Sequence, residues 1–199
     1  ILSFKRDSPL EDAKNALKLS LPYKSYIIAV GLASNEKGFP PELFLEIFKQ
    51  AKNYGYRLCC HAGEESDSEN IKKCVEMGIE RIDHGIRAID DPELMLRLIN
   101  NQIPLTVCPL SNVKLKVFEE MSSHTILEML EQGVCVTVNS DDPSYFGGYM
   151  TENFISLYDN LGLSKGQALR LVKNSIDASF APKKRKKGLY SILDEYAAE

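Results

Sequence analysis

The 199-residue sequence has no apolar run approaching the roughly 20 residues that cross a bilayer, so no helical membrane span organises it. It also lacks the basic-then-apolar layout of a signal peptide. Ile1-Leu2-Ser3-Phe4-Lys5 opens abruptly, without Met, inside what reads as a strand, and this leads us to expect that something precedes Ile1 in a parent protein. Positive charge is not in excess: 24 Lys and Arg against 28 Asp and Glu leave a net −4, which offers no general surface for nucleic acid or membrane. Cysteine is present in an odd number, five, with no Cys-x-x-Cys pair, which argues against a disulfide framework and for buried, reduced thiols in a cytoplasmic protein. No linker or low-complexity tract interrupts the chain, and no glycine-rich phosphate loop follows any strand-like run. Histidine is scarce, with His61, His84 and His124 as the whole supply.

What remains is a regular alternation. Apolar runs near 1–5, 26–32, 57–61, 80–84, 104–108 and 134–139 read as strands. Between them lie segments of helical period. Residues 9–20 end before Pro22, and 41–54 open at Pro41 and stop at Gly55. Residues 68–77 follow Asp67 as N-cap, another helix starts at Asp91-Pro92, and one more runs from Ser123 to Gly133. The stretches 150–161, 164–178 and 183–197 read as helices with no strand between them, and Ser164 to Gln167 has the form of a capping box. This is one α/β domain over 1–199 with a parallel sheet. Six strands suit a doubly wound sheet, whereas a closed (β/α)8 barrel needs eight.

The strand ends decide between those architectures. Polar clusters follow the apolar runs at Gly31-Leu32-Ala33-Ser34-Asn35-Glu36, His61-Ala62-Gly63-Glu64, Asp83-His84-Gly85, Cys108-Pro109-Leu110-Ser111-Asn112 and Asn139-Ser140-Asp141-Asp142-Pro143. In a barrel these would converge on one mouth. Each has an ordinary reading: a His after a strand is more often a hydrogen-bonded structural residue, Asp83 can pair with a neighbour, and Asp-Asp-Pro can open a helix. Two of three histidines and a double Asp at strand ends nevertheless point jointly to metal-assisted chemistry.

These residues resemble the adenosine and adenine deaminases of the zinc amidohydrolase type, over about Tyr26 to Phe180. His-Ala-Gly-Glu at 61–64, Ile-Asp-His-Gly at 82–85 and Ser-Asp-Asp-Pro at 140–143 stand in the family's order and spacing, and the text at 108–114 and 138–149 looks closer to adenine than to adenosine deaminases. The resemblance implies a TIM-barrel fold and hydrolytic deamination of adenine or adenosine through a zinc-bound hydroxide, with zinc as cofactor and a small purine as substrate. It implies His61 and Asp141 as metal ligands and Glu64 as the acid that protonates N1, a role that needs a protonated carboxyl near neutral pH, with a dry pocket raising its pKa. His84 would orient the hydroxide and move its proton, Asp142 would hydrogen-bond N7, and the backbone around Gly31 would meet the far edge of the base.

The chain departs from the family in two places. The family's His-x-His pair is missing, since no His precedes His61. The six strands then correspond to the third through eighth of the barrel, so an incomplete barrel lacking the first two strands is expected, weak or inactive alone. Its open edges at 1–5 and 134–139 would be covered by a second copy or by a separately encoded N-terminal piece. Ala33 also replaces the family's usual acidic residue. Two rivals stand beside this reading: a non-catalytic relative that binds a purine or a protein, and a different metal-dependent hydrolase on the same barrel. His124 belongs at a helix start, and Lys183-Lys184-Arg185-Lys186-Lys187 reads as the solvated opening of the last helix. Phe146 is a candidate to stack on the base.

Overall fold

A computed structural model describes residues 1–198, arranged as two compact units, Ile1–Leu96 and the residues from Arg97 onward. The first unit carries β1 (Leu2–Lys5), β2 (Ala29–Ala33), β3 (Arg57–Ala62) and β4 (Arg81–His84), paired in chain order and all parallel. Parallel neighbours need crossovers. α1 (Leu10–Ser20), α2 (Leu45–Asn53) and α3 (Ser68–Glu76) supply them. The sheet is buried to match: Ala29, Val30, Leu58, Cys59, Cys60 and Ile82 are at most 1% exposed, which is why these strands read as continuous apolar runs rather than alternating ones. Phe44, Ile47 and Phe48 close the helix side, and Phe48 meets Phe4 edge-on at 6.4 Å.

α4 (Pro92–Asn101) leads into the second unit, where β5 (Leu105–Val107) and β6 (Val136–Val138) pair in parallel with Leu105 opposite Val136. Around them come α5 (Pro109–Lys114), α6 (Ile126–Glu131), α7 (Pro143–Phe146), α8 (Met150–Leu161), α9 (Lys165–Ala178) and α10 (Lys183–Ala198). The capping signals behave as their chemistry requires. The Asp67 carboxylate accepts the Glu69 amide at 3.1 Å, and Ser164 and Gln167 form the reciprocal box that opens α9. The five cysteines are all buried and form no disulfide.

Several boundaries differ from the sequence expectation. The run at 26–32 pairs only from Ala29, because Tyr26 is held in a turn by its amide's bond to the Tyr23 carbonyl. The helix from Pro41 begins as a 3-10 turn, Pro41–Phe44, before α2 proper. The helix expected from Ser123 begins only at Ile126, where the His124 ring takes the first amide. α5 has no counterpart in the apolar-period reading; six residues starting at Pro109 are too few to show one. Among the described residues no helix is long and apolar enough to cross a membrane.

Candidate active site at the strand ends

In the first unit the C-terminal ends of β3 and β4 bring three chemical groups together. Ala62 is paired with His84 in the parallel register, so His61, Glu64 and His84 emerge side by side. Each presents a ligand-type atom within 4.8 Å of the other two. Glu64 Oε1 lies 3.3 Å from His84 Nδ1, and the His61 and His84 rings meet edge to face with centroids 4.8 Å apart. An ionised carboxylate and an unprotonated imidazole nitrogen are both acceptors, so a proton or a metal ion between Glu64 and His84 would make their approach favourable.

Local backbone geometry aims these groups. β4 ends in two successive left-handed residues, His84 at φ 66° and Gly85 at φ 71°, which turn the chain sharply as His84 is buried to 2% exposure. Gly63 between His61 and Glu64 is also left-handed, at φ 71°. Positive φ at a non-glycine residue is uncommon and gathers at functional sites. Among the described residues it occurs at Ser34, His84, Gln102, Lys116 and Asp141, and three of these stand at or just beyond the ends of β2, β4 and β6.

Behind His61 stands Asp83, whose Oδ2 is 3.9 Å from His61 Nε2, an ion-pair rather than a hydrogen-bond distance, while its other oxygen accepts from Arg81 Nε at 3.4 Å. Two imidazoles and a carboxylate are the nitrogen and oxygen donors that a divalent ion of the zinc type takes, so the donor chemistry at these strand ends fits a metal. A cavity of about 240 Å³ opens over the group, lined by Ser34, Asn35, Glu36, His61, Glu64 and Glu65. A larger groove of about 770 Å³ lies among α8, α9 and α10, but no carboxylate, histidine or cysteine lines it, so it lacks the means for this chemistry.

Two residues in this site escaped the sequence reading. Glu36, 3% exposed, accepts the amides of Gly63 and Glu64 at 2.9 and 3.1 Å and the hydroxyl of Ser66. Burial alone would raise its pKa, but the Ser66 hydroxyl, the Glu64 amide, the Arg6 charge and the Gly63 amide outweigh that and hold it below the usual carboxylate value. Arg6, 1% exposed, directly follows β1 and donates to the His61 carbonyl and, at 3.4 Å, to that of Phe39. The signal for Glu36 was its place in the polar cluster after β2. For Arg6 it was a charge ending β1, a strand end that carried no cluster of its own.

Gly31 sits within β2 rather than at its end. A Cβ there would lie 3.0 Å from Cys59 Sγ and 3.3 Å from Ser3 Oγ, so a side chain at this position would press on both neighbouring strands, and Ser34, three residues later, lines the cavity.

In the second unit Asp141, at φ 57°, receives the Ser111 hydroxyl on Oδ2 at 2.7 Å, and Asp142 takes the N-cap position of α7, its carbonyl accepting the Tyr145 and Phe146 amides. Tyr145 and Phe146 meet edge to face at 5.0 Å, and Tyr145 is exposed. A Cβ at Gly148 would lie 2.2 Å from Leu110 Cδ1, which explains that glycine by close packing.

His124 is a structural histidine. Its Nδ1 accepts the Ile126 amide at 3.1 Å, which leaves Nε2 to donate to Asn112 Oδ1 at 3.3 Å, and its ring stacks on Phe118. Burial pushes its pKa down to about 4. The folded state therefore holds it neutral where the unfolded chain, near 6.5, would protonate it. Its contribution is complete above pH 6.5 and is lost as pH falls toward 4. By this linkage the stability should fall by about 2 kcal/mol between pH 7 and pH 5 from this group alone. Urea titrations of the protein and of His124→Gln at the two pH values check it: equal pH slopes would show that the ring is not buried neutral.

Comparison with known proteins gives the family and the fold. The adenosine deaminase family model matches residues 1–196. An adenine deaminase of Ectopseudomonas mendocina is 56% identical over 182 residues, which is 91% of this chain and 58% of that protein, so the chain spans somewhat more than half the length of such relatives. The crystal structure of an adenine deaminase from Arthrobacter aurescens superposes with a TM-score of 0.96 at 40% identity, covering 99% of this chain and 61% of that one. An amidohydrolase from Burkholderia ambifaria, solved with bound zinc, shares the fold at a TM-score of 0.89 and 23% identity, over 98% of this chain and 57% of its own. The TIM-barrel type of α/β fold thus holds over this chain, and the chain belongs to the adenosine deaminase family.

Proposed function

We propose that residues 1–199 form the C-terminal portion, a single domain, of a hydrolase that converts adenine and water into hypoxanthine and ammonia, with adenine preferred over adenosine. The observation that carries the proposal is the approach of Glu64 Oε1 to His84 Nδ1, 3.3 Å apart beside His61 at adjacent strand ends. The names of relatives at 52–56% identity support adenine as the base.

Deamination at C6 needs an acid for the ring, a nucleophile, and a base for the nucleophile's proton. Glu64 delivers its proton to N1, which makes C6 electrophilic. His84, buried and in contact with Glu64, orients the attacking water and takes its proton. The water oxygen adds at C6, the C6–N bond breaks, and the amino group leaves as ammonia once it has gained a proton. When bound, a zinc ion held by His61, with Asp141 as a further ligand, makes water acidic enough to act as a nucleophile near neutral pH. Asp142 accepts a hydrogen bond from N7 when that nitrogen carries the ring proton, and the end of β2 from Gly31 onward meets the far edge of the base. The partner on this reading is the purine itself, in the cytoplasm. A second copy or a separately encoded N-terminal piece would cover the outer edges of β1 and β6.

The test is formation of hypoxanthine from adenine by the 199-residue chain with and without added zinc. Turnover is expected only with zinc, and below that of a full-length relative, because His61 and Asp141 are two ligands where a catalytic zinc takes about three. Turnover equal to that of a full-length relative would refute the expectation that this portion is weak or inactive alone, and no stoichiometric zinc in equilibrium dialysis at neutral pH, with adenine still bound, would replace this reading with that of a purine-binding relative.

A further inference from the structure

We infer that Glu36 is a positioning residue for Glu64, acting as a buried clamp that fixes the direction in which the acid leaves β3. The inference rests on Glu64 being the proton donor. Glu64 sits on a turn rather than in a strand: β3 ends at Ala62 and Gly63 is left-handed, and although the Gly63 carbonyl still accepts the Arg87 amide at 3.1 Å, the amides of Gly63 and Glu64 lie beyond the sheet's ladder. The Glu36 carboxylate takes over that task. Its two oxygens each accept one amide, Oε2 from Gly63 at 2.9 Å and Oε1 from Glu64 at 3.1 Å, a two-point grip that fixes orientation as well as place.

The grip is tied down from three further directions. Ser66 donates to Oε2 beyond the acid. The Glu36 amide donates back to Glu65 Oε2 at 3.1 Å, which joins the 34–36 and 63–66 loops in both directions. Arg6 holds the His61 carbonyl before the acid, and its charge adds to the Ser66 hydroxyl and the Glu64 amide in holding the Glu36 pKa down against burial. Arg6 and Glu36 together hold the backbone on both sides of Ala62, so His61 and Glu64 leave the sheet in a fixed relation. No solvent is needed to complete the bonding of these amides, which suits a dry acid site.

The decisive variant is Glu36→Gln, which keeps the shape but offers one acceptor oxygen and, at the other position, an amide that opposes a donor. Amide exchange at Gly63 and Glu64, read by NMR on the full chain, should accelerate by at least about ten-fold while α2 and β1 amides stay within about two-fold. In the adenine assay kcat should fall by about 30- to 100-fold with KM within about three-fold, since misplacing a reacting group costs the chemical step more than binding. Unchanged exchange at the two amides, or acceleration throughout the first unit, would overturn the clamp; the second result would make Glu36 a general structural residue. If the deaminase reading fails, as shown by absence of stoichiometric zinc, the exchange pattern still decides whether Glu36 fixes this turn. Should Glu36→Gln not fold, Ser66→Ala serves: exchange at Glu64 faster by about three-fold supports the clamp, and no change sinks it.

Discussion

Replacing Glu64 by Gln is expected to lower adenine turnover by about 10²- to 10⁴-fold and to leave purine affinity within about three-fold. The amide has the carboxyl's size and can still fill the cavity that Glu64 lines with His61 and Ser34. It has no carboxyl proton to deliver to N1, although it can keep the 3.3 Å approach to His84 Nδ1. Protonation of N1 belongs to the transition state, so its loss should appear in kcat and in kcat/KM equally. Calorimetric titration with adenine and a spectrophotometric assay separate the two effects. Retention of more than a tenth of the turnover would remove Glu64 from the acid's position. His84→Asn gives a complementary measurement: it removes the group that Glu64 approaches, so the two single losses should not add.

Gly63→Ala should be among the most destabilising single substitutions in the chain. The residue has φ 71°, which costs a non-glycine side chain about 1–2 kcal/mol. The added methyl would also lie 2.3 Å from Ile71 Cδ1 and 2.7 Å from Cγ1. Ile71 is fully buried in α3 and has nowhere to withdraw, so overpacking adds about 1–3 kcal/mol. The sum, about 2–5 kcal/mol, should lower Tm by on the order of 5–20 °C in a chain of this length. Placing Ile71→Val beside it removes the nearer carbon, so the double variant should recover part of the clash but none of the φ cost. A Tm within about 2 °C of the parent for Gly63→Ala would show that α3 is loosely seated. The same glycine thus serves two ends: it lets the chain turn at the end of β3, and it lets α3 pack directly beneath the acid.

Much of the site was legible because its chemistry is local. His61 and Glu64 are three residues apart, and any strand that ends between them presents both. His84 could be matched to them because parallel neighbours end at the same side of a sheet. The cap at Asp67 and the box at Ser164 were legible for the same reason, since each bond spans two or three residues. Glu36 and Arg6 were not legible. Their bonds to the 61–64 segment reach across 27 to 55 residues, so the cluster after β2 could place Glu36 near the mouth but not name its partners, and a lone Arg after β1 has the composition of a solvated loop. Gly31 carries a demand that the sequence did not show: besides the role expected of its backbone, it lies tightly against Cys59 and Ser3 of the neighbouring strands. α5 and the late start of α6 were missed because short helices carry too few turns for a period, and because a histidine ring can do a cap's work.

By itself the sequence determined the order of strands and helices, the family, and which residue types could do acid, base and ligand chemistry, because periodicity and short motifs are written between near neighbours in the chain. Only the tertiary structure decided how the acid is held. A carboxylate from the end of β2 and a guanidinium from the end of β1 satisfy backbone groups that the β3 ladder abandons at Ala62, and the need for those distant partners arises only once the strands lie side by side.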